Sequence, residues 1–157
     1  MKNLLLLVIL ITGCSKDIAG KNNNGNECSA YFAFNQSSSQ AFYYFTSVEI
    51  DEVSIATTDI VAAFKGDVCV GARQWDTVQC GGGICDLPVM GYDSFDPEGT
   101  VGYMQSGETP TFKIYDISEG VIYDATTTSE IPSYENSITA VITDPLKATI
   151  SSISNCE

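Results

Sequence analysis

DIVAAFKGDVCVGARQW, residues 59–75, holds two short apolar runs, 60–64 and 68–70, on either side of Lys65-Gly66-Asp67. Val, Ile and Phe favour extended backbone, and Gly66 lets the chain fold back sharply. The stretch therefore predicts a β-hairpin. Neither run alternates apolar with polar residues, so both strands are expected to be covered on both faces, at the centre of a sheet packed against another layer.

Working outward, residues 30–34 (AYFAF) read as a short aromatic strand. Residues 41–50 read as one long strand with Phe42, Tyr44, Thr46, Val48 and Ile50 on one face and Tyr43, Phe45, Ser47 and Glu49 on the other. Beyond the hairpin, residues 77–107 carry most of the Gly, Cys and acidic residues with little periodicity, and read as a long elaborated connection. TFKIYD (111–116) and VIYDAT (121–126) form a second hairpin around Ser118-Glu119-Gly120. Residues 137–143 alternate with Ile138, Ala140 and Ile142 inward, and 147–153 close the domain. The fold class is all-β, an antiparallel β-sandwich of about eight strands, immunoglobulin-like or jelly-roll-like.

The chain has 157 residues, enough for one well-buried domain, with 7 Lys+Arg against 20 Asp+Glu, no His and a net charge of -13. That balance argues against nucleic acid, whose phosphates need a basic footprint.

Residues 1–13 read as a signal peptide: Lys2, then an apolar core too short to span a bilayer. Ile11-Thr12-Gly13-Cys14 resembles the bacterial lipobox, which implies cleavage before Cys14, lipidation of its thiol and a membrane anchor. Ser15 in place of Asp favours the outer membrane or cell surface. Residues 14–27 have little to bury and read as a flexible tether, leaving 28–157 as the folded domain.

In that oxidising compartment five cysteines remain. Cys80 and Cys85 flank Gly81-Gly82-Gly83-Ile84, a small loop suited to a local disulfide. Cys28 and Cys156 bracket the domain and are expected to clamp its ends, leaving Cys69 as a buried thiol between valines. Without His or paired C-x-x-C elements, zinc is not expected.

The runs QAFYYFTSVEI (40–50), VAAFKGDVCVGARQWDT (61–77), CGGGICDLPVMG (80–91) and GYMQSGETPTFKIYD (102–116) resemble a β-sandwich module of large secreted and surface proteins of bacteria, including substrates of type IX secretion. The resemblance implies the sandwich fold and carries no activity. In those proteins the module sits among others, whereas here it stands nearly alone behind an anchor.

YDSFDPEG (92–99) sets Asp93, Asp96 and Glu98 in one loop, an oxygen-rich segment of the kind from which Ca2+ sites are built, with Asp76 or Asp86 as further ligands if the loops converge. Trp75, Tyr92, Phe95 and Tyr103 lie in or beside the same connection and are candidates for a platform that stacks on sugar rings, the alternative being that Trp75 and Tyr103 fill the core. No His is present to activate a Ser or Cys nucleophile, and no glycine loop lies between strand and helix to hold phosphate. A glycan-cleaving pair such as Asp93 and Glu98 is not singled out by spacing. The expectation is a non-catalytic binding or adhesion module facing a polysaccharide or surface protein. Its alternative is a structural subunit that self-associates through strand edges into a layer or filament.

Overall fold

The structure, a computed structural model, describes residues 28–154. The expected signal peptide, Cys14, the expected tether and Cys156 lie outside the described residues. Among the described residues there are eleven strands: β1 (Gln40–Phe45), β2 (Val48–Ile50), β3 (Val53–Ser54), β4 (Ile60–Lys65), β5 (Val68–Gln74), β6 (Asp86–Met90), β7 (Thr111–Asp116), β8 (Val121–Ala125), β9 (Thr139–Ile142), β10 (Leu146–Ala148) and β11 (Ile153–Ser154). They form a β-sandwich. One sheet has the order β11-β8-β7-β4-β5; the other layer is β6-β1-β9 continued by β10-β2-β3.

The central hairpin is β4–β5, with Gly66 at φ 58 in its turn. Alternate side chains of β4 enter different cores. Val61 and Ala63 join Tyr43, Phe45, Val70, Phe112 and Ile114 between the layers, while Ile60, Ala62 and Phe64 join Cys28, Phe32, Cys69 and Tyr115 on the outer face of the five-stranded sheet. The expected two-sided burial is thus present, and small Ala at 62 and 63 lets covering segments approach closely.

Residues 29–32 provide the outer cover as a 3-10 turn, not the expected strand. An extended chain would send Tyr31 and Phe32 to opposite sides. The tight turn instead brings Phe32 to stack on Tyr115, 5.2 Å between centroids, and Tyr31 to lie 5.0 Å from Phe64. Packing both rings on one face outweighs the β propensity of the segment.

The long strand expected over 41–50 is broken at Thr46-Ser47. Ala41, Tyr43, Phe45 and then Val48 all face the core, and a spacing of three residues cannot continue an alternation of two. Phe42 and Tyr44 are only half-buried. Two pairings are parallel, β1 with β9 and β2 with β10, where all-antiparallel order was expected. Between them the register moves by one residue, the extra one falling in Thr143-Asp144-Pro145.

Residues 77–107 are not one loop, because β6 runs through their middle and pairs with β1. Pro88 argues against a strand in the sequence. Here it loses nothing: Gly91 N donates to Ser39 O, which makes Ala41–Val89 the hydrogen-bonded pair and turns the backbone of Pro88 away from β1.

Candidate functional site

β6 carries the chain from one end of the sandwich to the other, and this separates the residues grouped by sequence. Asp86 at its start forms an ion pair with Arg73 near the end of β5 (2.6 Å); Met90 at its end leads into loop 92–103, which meets Lys65 and Val68 at the opposite end of the hairpin. Trp75 and the Cys80–Cys85 disulfide lie at the Asp86 end. Asp76 and Asp86 are therefore remote from Asp93, Asp96 and Glu98.

Trp75 is 4% exposed and packs against Phe45; Tyr103 is 5% exposed, and its hydroxyl accepts from Asn35 N at 2.5 Å. Both fill space, so the four-ring platform is not assembled. Tyr92 and Phe95 are exposed, at 45% and 93%.

Loop 92–103 owes its shape to Asp93, which is 7% exposed. Its Oδ2 accepts Ser38 N at 2.9 Å and its Oδ1 accepts Phe95 N at 2.8 Å. Hydrogen bonds from Ser38 first, then from the Phe95 amide, hold the carboxyl below its ordinary value. Thr100 adds a buried link, its hydroxyl accepting Asp93 N and donating to Asp96 O. Asp96 Oδ1 accepts Gly99 N, and Asn35 Nδ2 donates to Gly99 O. The base is closed by Tyr92 N donating to Met104 O.

The carboxylates of Asp93 and Asp96 are thus engaged by loop amides, and Glu98 is exposed. Among the described residues no three Asp, Glu, Cys or His side chains converge as a metal site, so the calcium shell is not formed from them. Ser38, Thr100 and Asn35, which the sequence reading passed over, complete the loop. A signal for the local part was present: Asp93-x-Phe95 and Asp96-x-x-Gly99 have the spacing at which Asp side chains cap turn amides.

Two depressions flank the loop. One, of about 470 Å³, is lined by Tyr31, Phe34, Asn35, Asp67, Gly99 and Tyr103 among others. The other, of about 350 Å³, includes Tyr92, Met104 and Tyr134. Cys28 is disulfide-bonded, while Cys69 is a buried thiol whose pKa burial raises to about 11.

No family model, curated protein or solved structure matches the chain.

Proposed function

We propose that this chain is a non-catalytic binding or adhesion module, displayed on the cell surface by a lipid anchor at Cys14, with loop 92–103 as its contact surface. The observation that carries the reading is Phe95. With its ring 93% exposed beside Tyr92 at 45% and Val101 at 70%, one loop exposes three large apolar side chains, more than the scattered single residues normal on a surface, and that loop's backbone is fixed in advance by Asp93 and Thr100. Pre-ordering removes part of the entropy that a loop gives up on binding. Tyr92 supplies a second exposed ring with a polar tip. The lipobox and the resemblance to secreted surface modules support the same setting.

The test is binding of the full chain in detergent to a glycan array and to surface extracts, beside Phe95→Ala. Specific binding that falls at least tenfold in the variant, with unchanged melting, is the expected result. Equal binding by both sinks the loop as contact surface.

A structural subunit is the second reading, favoured by β9. Among the described residues it pairs only with β1 and its other edge is open, with Val141 64% exposed. Light scattering on a sizing column separates the two: a binder stays monomeric at micromolar concentration, whereas oligomers or fibres favour assembly.

A further inference from the structure

The groove of about 470 Å³ beside loop 92–103 lies within the size range of small-molecule sites, and its lining is chemically selective. Tyr31 and Phe34 are half-buried and anchored, Tyr31 against Phe64 and Phe34 against both cores. Fixed aromatic faces of this kind take up the C–H face of a ring ligand without reordering. Asn35 is held at the rim by its bond to Gly99 O (2.8 Å). Asp67, in the hairpin turn, is exposed and lines the groove.

Among the described residues no Lys or Arg lines this groove, and the chain carries -13 overall. Phosphate, sulfate and uronate ligands would find no counter-charge. A cation would meet Asp67 in an open, solvated position, where a single ion pair contributes little. A neutral sugar uses every part: its apolar face against the rings, adjacent hydroxyls donating to the Asp67 carboxylate, and another meeting the Asn35 carboxamide. We propose that this groove binds a neutral glycosyl unit, a proposal that rests on the reading of loop 92–103 as the contact surface and names its ligand class.

The experiment is calorimetric titration of the full chain with a panel of neutral oligosaccharides, a polyuronate and a lysine-rich peptide, repeated on Asp67→Asn, Phe34→Leu and Phe95→Ala. The expected result is heat with a neutral oligosaccharide only, and about tenfold weaker binding in Asp67→Asn, the loss of one charge-assisted hydrogen bond. Phe34→Leu, which keeps much of the bulk but removes the flat face, weakens it similarly; Asp67→Asn melts as the parent does, and Phe34→Leu, which also packs on both cores, stays folded at the titration temperature. Neutral sugars bound equally by parent and both groove variants, or not at all, overturn the proposal; so does binding of the polyuronate or the peptide in their place. Loss confined to Phe95→Ala removes the groove and keeps the loop, whereas loss confined to the groove variants keeps the groove and removes Phe95 from the contact.

Discussion

Gly71 on β5 lies against the carbonyl oxygen of Pro88 on β6, so close that a Cβ at 71 would stand 1.8 Å from it. The two strands belong to different layers, and this crossing closes one side of the sandwich, with Arg73–Asp86 beside it. Pro88 can offer that face because its backbone is turned away from β1. Gly71→Ala must push two backbones apart, and overpacking of this kind is expected to cost about 3 kcal/mol in urea denaturation. Gly81→Ala is the matched control: nothing lies within 4 Å of its Cβ position, and its midpoint should stay near that of the parent.

The turn joining β2 to β3 offers a gain. Asp51 and Glu52 have φ 48 and 65, the left-handed pair required by the tightest hairpins, but neither is glycine. Asp51 is engaged, its carboxylate accepting Ile150 N at 3.3 Å. Glu52→Gly keeps that bond and removes side-chain strain, so it should raise stability by about 1 kcal/mol, net of glycine's unfolded-state entropy. A lower melting temperature in the variant would show that the turn is not strained at Glu52.

These two sites mark how far the sequence is legible. Both hairpins could be read because apolar runs and turn formers are local signals, and so could the Cys80–Cys85 bridge. Alternation in 137–143 gave the buried face of β9, but alternation does not name a neighbour, so its parallel partner β1 stayed hidden. β6 was masked by Pro88, whose cost depends on which way one amide points. Trp75, Tyr103 and Phe95 look alike as aromatics beside turns. Only the crossing of β6 decides that the first two are core and the third is exposed.

Loop 92–103 should loosen in acid. The Asp93 carboxyl is depressed below 3.8 in the folded chain, so the unfolded chain binds that proton more tightly. The contribution is complete above the ordinary value of 3.8 and is lost as pH falls through the depressed one. Asp59 runs the opposite way: burial raises it despite amides donated by Ala56 and Ile117, so its penalty sets in as pH rises above 3.8. Hydrogen exchange of the Ser38 and Phe95 amides, corrected for intrinsic rate, should be slow at pH 6 and quicken below pH 4. Asp93→Ala should make it fast at both, and no change in that variant would remove Asp93 as the pin.

The Cys80–Cys85 bridge closes a loop of sequence separation 5, so the unfolded chain loses little freedom by it. Chain-entropy scaling for so short a loop gives about 2 kcal/mol. Cys80→Ala with Cys85→Ala should lower stability by that amount without unfolding the domain, since β6 is still held by β1.

The alkaline limb tests both cores. Burial raises Cys69 from 9.0 to about 11, and burial together with the nearby Tyr134 raises Tyr43 from 10.0 to about 12. In both cases the folded chain holds a proton that the unfolded chain releases, so stability falls as pH rises, first from 9 through Cys69 and then from 10 through Tyr43. Cys69→Ala should therefore flatten the decline between pH 9 and 10 and leave the steeper part above 10 in place. The same burial makes the thiol inert: at pH 8 about one molecule in a thousand is thiolate, so iodoacetamide should leave Cys69 unmodified in native protein and alkylate it after denaturation. Rapid alkylation of Cys69 in native protein would mean that the 3-10 turn over residues 29–32 does not stay closed over the outer core.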